Sequence, residues 1–399
     1  MLIREKIAQA IQILNEYDID CWLTFVRESE MLHDPMLDFL VASHVTWHSA
    51  FIVTRGGDTC AIVGQMDRAT IEDLGVYRQI QGYVEGMKEP LVQALQGIRP
   101  LTIAVNYSQS SEVCDGLTHG MYLTLADWLG EAGMADRIIS SERICSSLKA
   151  RKTGEEIARM KRAIAHTEEI FRLVQDFIRS GVTEHQIADF MIAEAGRRGL
   201  EPAWESSHCP AVFTGPATAE AHYRPTDRVV ERGHILNMDF GVRCEDYVSD
   251  LQRTFYILEE GQEAAPPEVQ HGFDTLLAAI ESARKAIRPG VQGIEIDRIA
   301  REWIVAAGYE EYPHALGHQV GRFAHDGTAL LGPAWPKYGQ RPFERLEEGM
   351  VFTIEPRLKV PGRGVVTMEE MILVTPDGAQ YLSDPQQSLL IINAPLEDR

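Results

Sequence analysis

No two of the six cysteines stand in a CxxC pair, so neither a zinc knuckle nor a dithiol redox motif is present. Cys21, Cys60, Cys114, Cys145, Cys209 and Cys244 are scattered, which points to free thiols in a reducing compartment. No apolar run approaches the roughly 20 residues needed to cross a bilayer. The N-terminus reads Met-Leu-Ile-Arg-Glu-Lys, with charges at once and no apolar signal core. Positive charge is scarce as well: 38 Lys and Arg stand against 59 Asp and Glu, a net charge of −21. That balance opposes phosphate backbones and anionic lipid, so neither nucleic acid nor membrane is expected as a partner. A cytoplasmic location is expected.

At 399 residues the chain exceeds one ordinary core, and two domains are expected. Hydrophobic residues make up 45% and charged residues 24%, the balance of a soluble globular protein. Ile3, Ile7, Ile11 and Leu14 fall on one helical face, and residues 21–26 then read as a strand. Residues 50–54 and 59–63 are β-rich runs joined by Arg55-Gly-Gly-Asp58, which predicts a hairpin. Residues 101–105 read as another strand. This first part forms a mixed α/β domain over 1–150, closed by the basic link Lys149-Ala-Arg-Lys152. Thr153-Gly-Glu-Glu156 then fits a capping box opening a helix to about Ile178. Thr183-Glu-His-Gln186 fits a second, for a helix ending near Gly196 to Gly199. An internal echo follows. Arg179-Ser-Gly-Val182 begins a helical segment closing at Gly199, and Arg288-Pro-Gly-Val291 begins another closing at Gly308, with equal Gly-to-Gly spacing. Both precede a His-bearing, β-like stretch. The echo implies a second domain over 151–399 made of two related halves, with a cleft between them for a site.

The candidate chemistry lies in four segments of that domain. Ile235-Leu-Asn-Met-Asp-Phe240 alternates, so Asn237 and Asp239 share one face of a strand. Tyr247-Val-Ser-Asp-Leu-Gln-Arg-Thr-Phe-Tyr256 repeats the pattern around Asp250, and the turn-like residues between predict a hairpin. Its two carboxylates would repel unless a proton or cation sits between them. The plain alternative is an exposed Asp250 paired with Arg253. His314, His318 and His325 fall within twelve residues. His314 and His318 have the spacing of a helical zinc motif, but Ala follows His314, no Glu lies between, and Gly317 and Gly321 oppose a helix. Each histidine alone reads as an ordinary core or surface imidazole. Three together, beside glycines that admit close backbone approach, weaken that reading. Glu355 ends the apolar run Met350-Val-Phe-Thr-Ile-Glu-Pro356, and Glu369 and Glu370 interrupt another at residues 365–374. Alternation sends the last two to opposite faces, so only one should enter a site. Four carboxylates and one imidazole suit two divalent ions: manganese, cobalt, iron or zinc.

The ordered series Asp239, Asp250, His318, Glu355, Glu369 resembles the pita-bread metallopeptidases, among them aminopeptidase P, prolidase and methionine aminopeptidase. The words that carry it are Met-Asp-Phe-Gly, Ser-Asp-Leu-Gln-Arg-Thr, Gly-His-Gln-Val-Gly, Thr-Ile-Glu-Pro and Met-Glu-Glu, all within residues 150–399. Residues 1–150 resemble the N-terminal domain of the creatinase and prolidase group in pattern, which favours the aminopeptidase P and prolidase branch. The implied fold is an α/β N-terminal domain plus an α+β pita-bread domain with a pseudo-twofold repeat. The resemblance implies that Asp239 chelates one metal, that His318 and Glu355 bind the other, and that Asp250 and Glu369 bridge them. Manganese is the first expectation. His222 and His325 would stabilise the developing oxyanion, Glu355 would move a proton, and His222, His314 and His325 would line the substrate.

The implied activity is hydrolysis of short peptides, as an Xaa-Pro aminopeptidase or dipeptidase, in a homodimer. Proline-specific relatives usually carry Arg two residues before the second glutamate; this chain has Thr367, leaving Arg357, Arg363 or Arg322 to supply a cation. The same scaffold also serves a small-amide hydrolase of the ectoine type, a metal-dependent lyase, and binding modules that have lost ligands.

Overall fold

The computed structural model describes residues 2–41, 43–109, 111–216 and 223–393. The chain divides into two compact units, Met1–Lys149 and Ala150–Arg399.

The first unit is built on a six-stranded mixed sheet. Its strands are β1 (Cys21–Val26), β2 (Ser49–Thr54), β3 (Thr59–Gly64), β4 (Gln79–Tyr83), β5 (Ile103–Val105) and β6 (Ile138–Ser140), in the order β4-β3-β2-β1-β5-β6. All six residues of β1 are buried, because helices cover both faces. Trp22 and Val26 enter the core under helix Leu2–Glu16. Cys21, Leu23 and Phe25 enter the opposite core, with Leu91, Leu95, Leu125 and Leu129 of two further helices. The expected hairpin joins β2 to β3, with Gly57 at φ 87° in its turn. The expected strand at 101–105 is shorter. Asp20 Oδ2 takes the amides of Leu101 and Thr102, at 2.7 and 3.2 Å, leaving Leu101 outside the ladder and exposed.

A polar knot sits inside this unit. Asn106 Nδ2 donates to both oxygens of buried Asp34 at 3.0 Å, and Asn106 Oδ1 accepts from Trp22 Nε1 at 2.7 Å and Ser141 Oγ at 2.7 Å. Burial pushes the Asp34 carboxyl up to about 6, against the pull of Asn106 and the Met36 amide.

In the second unit both capping boxes form. Thr153 Oγ1 accepts from Glu156 N while Glu156 Oε2 accepts from Thr153 N at 2.7 Å, opening helix Gly154–Phe177. Thr183 and Gln186 do the same for helix Glu184–Arg197. Gln292 and Glu295 form a third box, opening helix Gly293–Ala306 after helix Pro267–Ala286. The echo thus has a physical basis: helices Glu184–Arg197 and Gly293–Ala306, the second of each pair, are each opened by a box and closed alike. Gly181 and Gly290 take φ 96° and 90°; Gly199 and Gly308 take 69° and 91°. Leu200 N reaches Ala195 O and Tyr309 N reaches Ile304 O, the six-to-one bond of a glycine-terminated helix. Four strands in the order Leu390–Ile392, Leu251–Ile257, Ile235–Phe240 and Ala211–Thr214 form one sheet of this unit. Val351–Ile354, Glu370–Thr375 and Gly378–Tyr381 form another.

Glu184 ties Thr214 to Tyr223 and Thr226. It is fully buried and accepts bonds from Thr214 N (3.0 Å), Tyr223 Oη (2.9 Å), Thr226 N (3.0 Å) and Thr226 Oγ1 (2.6 Å).

Two outcomes are expected. Glu184→Ala strands these donors and should destabilise the second unit by about 3 kcal/mol in urea titration. The second concerns pH. A carboxyl raised on folding binds more protons in the native state, so its stabilisation is present at acid pH and is lost as pH rises from about 4 through about 6. The difference in urea midpoint between wild type and Asp34→Asn should therefore favour wild type more at pH 4.5 than at pH 7.5; a difference independent of pH would refute the shift.

Candidate metal centre

Strands Ile235–Phe240 and Leu251–Ile257 pair antiparallel, with Asp239 opposite Gln252 on one side and Ala211 on the other. Asp250 stands one residue before the second strand, where the hairpin expected from the sequence returns it toward Asp239. The return requires Gly241, because a Cβ there would lie 1.9 Å from the Ser249 carbonyl oxygen. The Asp250–Arg253 pair is not what forms. Arg253 turns away and meets Glu370 at 3.1 Å, and Glu370 also accepts from Ser383 Oγ and Gln386 N. Alternation thus parts the two glutamates, and Glu369 faces His318.

The histidine segment is not helical. Gly317–His318 is a short strand paired with Leu330–Leu331. It lies so close to strand Val351–Ile354 that a Cβ on Gly317 would sit 1.9 Å from Thr353 O. His318 N donates to Thr353 Oγ1 at 3.1 Å, and Glu355 N donates to Leu316 O at 2.7 Å, so the two side chains are set by one backbone contact. Helix Gly293–Ala306 fixes the same segment from behind. Arg301 grips Asp297 with two bonds of 2.8 Å and donates to the carbonyls of Tyr312 (2.7 Å) and His314 (2.9 Å). Asp297 Oδ1 accepts from Leu316 N at 3.1 Å.

These elements bring five side chains together. His318 Nε2 lies 3.3 Å from Glu355 Oε1, 3.8 Å from Asp250 Oδ2 and 3.9 Å from Glu369 Oε1. One donor atom each of Asp250, His318 and Glu369 falls within 4.8 Å of the others. Asp239 Oδ2 and Glu355 Oε2 are joined through Gln252 Nε2, at 3.4 and 3.5 Å. Asp250 and Glu369 are buried, whereas Asp239, His318 and Glu355 are half-buried.

The electrostatics are those of a crowded set of acids. Burial, then the charges of Asp250 and Glu355, hold Asp239 well above the usual carboxylate range. Burial and the neighbouring carboxylates do the same to Glu369. Burial raises Asp250 to about 7 despite His318. Burial works against charge on Glu355 too, but the hydrogen bond and charge of His318 outweigh it and keep Glu355 low. Burial disfavours a charged His318, yet Glu355 and Asp250 lift it to about 9. One imidazolium therefore compensates one carboxylate and leaves the rest to be neutralised. Asp239 Oδ1 and Glu369 Oε2 are buried with no hydrogen-bond partner. Partnerless buried carboxylate oxygens cost several kcal/mol unless a proton or cation meets them. The donor set of oxygens and one imidazole fits a pair of hard or borderline divalent cations, whose charge four carboxylates balance.

The remaining expected residues fall as follows. The His325 ring meets His318 edge to face, with centroids 4.2 Å apart, and is exposed on its outer side. His314 is half-buried, its Nδ1–H donating to Ala315 O at 2.8 Å, and burial lowers its basicity. His222 lies outside the described residues. Of the three arginines weighed against Thr367, Arg363 pairs with Glu259 and Glu268, and Arg322 reaches Asp246. Arg357 lies directly across the Arg357–Val360 and Gly364–Thr367 strand pair from Thr367. Sequence reasoning missed Gln252, although it shares the face of Asp250 by alternation, and missed the Asp297–Arg301 latch, whose i, i+4 spacing was visible.

Residues 158–376 match Metallopeptidase family M24. An uncharacterized peptidase of Staphylococcus epidermidis is 33% identical over 233 residues, which is 58% of this chain and 62% of the relative. The Xaa-Pro dipeptidase of Pyrococcus furiosus is 31% identical over 250 residues, 62% of this chain and 67% of its own length. The chain thus spans about three-fifths of the first curated relative it matches. The crystal structure of X-Pro aminopeptidase from Thermotoga maritima superposes with a TM-score of 0.69 at 24% identity, covering 97% of this chain and 99% of that one. Likeness on that scale shows the fold, which is the expected pita-bread architecture preceded in the chain by an α/β domain. With more than half of its length inside the matched region, the chain belongs to metallopeptidase family M24.

Proposed function

We propose that this chain hydrolyses short peptides at a centre of two divalent cations held by Asp239, Asp250, His318, Glu355 and Glu369. The observation that carries the reading is the pair of buried, partnerless oxygens, Asp239 Oδ1 and Glu369 Oε2, inside a cluster of excess acids. Asp239 would serve one cation, His318 and Glu355 the other, and Asp250 and Glu369 both. Bound there, the cations supply Lewis-acid polarisation of the scissile carbonyl and acidify a water toward neutral pH. The protein supplies the proton traffic and the positioning. Glu355 accepts the proton released by the attacking water and returns it to the leaving nitrogen. His325, exposed at the edge of His318, donates toward the developing oxyanion, with His222 assigned to the same task. His314, held in one tautomer by Ala315 O, presents Nε2 to substrate.

The name of the Pyrococcus furiosus relative supports an Xaa-Pro dipeptidase, with an Xaa-Pro aminopeptidase as the other form of the same activity. Manganese suits the oxygen-rich donor set. Six free, buried cysteines suit a reducing, cytoplasmic setting, and the two-unit build suits a homodimer like those of relatives with an N-terminal domain of this pattern. One observation favours a second reading, a small-amide C–N hydrolase. Thr367, where proline-specific relatives carry a guanidinium, gives its hydroxyl to Gln252.

Chelator-treated protein should lose peptide hydrolysis and regain it with Mn²⁺ or Co²⁺; full activity of the stripped protein would end the proposal. Asp250→Asn should lower bound metal, measured by elemental analysis, while circular dichroism stays that of wild type. A panel of Xaa-Pro dipeptides, longer Xaa-Pro peptides and ectoine-like amides separates the two substrate readings by kcat/KM.

A further inference from the structure

The hub of the acid cluster is a neutral residue. Gln252 lies two residues after Asp250, opposite Asp239 in the strand register, and its backbone exchanges hydrogen bonds of 3.3 Å with that of Glu369. The side chain is almost fully buried, as is that of Thr367. Thr367 Oγ1 donates to Gln252 Oε1 at 2.5 Å. That bond decides which way the amide faces. With Oε1 committed to the hydroxyl, Nε2 points at Asp239 Oδ2 and Glu355 Oε2, at 3.4 and 3.5 Å. The flipped amide would set its oxygen against two carboxylate oxygens, so the network admits one orientation. Thr367 is itself fixed by its backbone, which donates to Thr254 Oγ1 at 3.1 Å.

We infer that Gln252, oriented by the Thr367 hydroxyl, is a positioning residue that holds Asp239 and Glu355 in register for the two cations. The inference rests on the metal-centre reading above. Asp239 and Glu355 come from distant segments and are assigned there to different cations, and a single amide touches both. Its two N–H groups restrain each carboxylate without adding charge, so the excess of acids is not increased. The Thr367 hydroxyl lies closest to Gln252 Oε1, with Pro356 O farther off at 3.4 Å, so position 367 acts on the centre chiefly through Gln252. Outer partners that orient metal ligands contribute about 10- to 100-fold in metal affinity.

The test is calorimetric titration of the chelator-treated full chain with Mn²⁺ alone, for wild type, Gln252→Met, Thr367→Val and Thr367→Ser, with urea unfolding of each metal-free protein alongside. Gln252→Met keeps the volume and removes both polar atoms. It should weaken Mn²⁺ binding by about 10- to 100-fold. Thr367→Val, which frees the amide to turn, should weaken binding less, and Thr367→Ser should restore it. Binding by Gln252→Met with wild-type affinity and stoichiometry overturns the inference. So does an equal loss in Thr367→Ser and Thr367→Val, which would make the hydroxyl irrelevant. A fall in metal-free stability with unchanged affinity marks a merely structural role and also overturns it. If Gln252→Met fails to fold, the valine and serine pair decides. A wild type that takes up no Mn²⁺ sinks the metal reading and this inference with it; a wild type that binds while Gln252→Met is unaffected sinks this inference alone.

Discussion

Asp250, Glu355 and Glu369 crowd around the His318 imidazole with Asp239 close to two of them, and burial magnifies the mutual repulsion of these four carboxyl groups. An unsupported backbone would spread them apart. Here the ladder forbids it. Asp239 is locked between neighbouring strands, Asp250 is returned by a turn that has no room for a side chain at Gly241, and Glu369 is bridged to Gln252. His318 and Glu355 cannot separate because their chain segments touch through Gly317. Burial first, and mutual repulsion after it, therefore show in the protonation states: Asp239, Asp250 and Glu369 are pushed up together while Glu355 alone stays low beside its imidazolium.

Much of this was legible in the sequence, for identifiable reasons. Alternation placed Asp239 on one face and divided Glu369 from Glu370, because strand geometry leaves side chains two directions. The capping boxes at Thr153 and Thr183 were readable since their bonds are local, three residues apart. The glycine echo worked because each copy must take a left-handed φ that other residues resist. What escaped was non-local. Glu184 looks like an ordinary first-turn acid; its four donors lie about 30 to 42 residues away. The length of β5 was overestimated because Asp20, far along the chain, claims two amides that apolar periodicity assigned to a ladder. Gln252 and Thr367 were each visible as letters, but their meeting across 115 positions was not.

The polar residues around the centre differ in kind. Arg253 with Glu370 and Arg301 with Asp297 are matched ion pairs inside the unit, each charge satisfied by a partner and by backbone groups. Such pairs fix geometry at little net energy, since desolvation consumes most of the attraction. The acid cluster is the reverse: its charges are unmatched by any permanent cation among the described residues nearest to them, and its geometry is enforced from outside. Rigid scaffolding of matched charge encloses a reservoir of unmatched charge, the division of labour a binding centre requires.

The seam where Gln252 meets Glu369 has a consequence for how the two halves depend on each other. Asp239 and Asp250 follow one helix pair in the chain, His318, Glu355 and Glu369 follow the other, and the bridge joins the two sets across a long stretch of sequence. Neither half alone carries all five of the proposed ligands, so on that assignment the ability to bind a pair of cations belongs to the docked halves together.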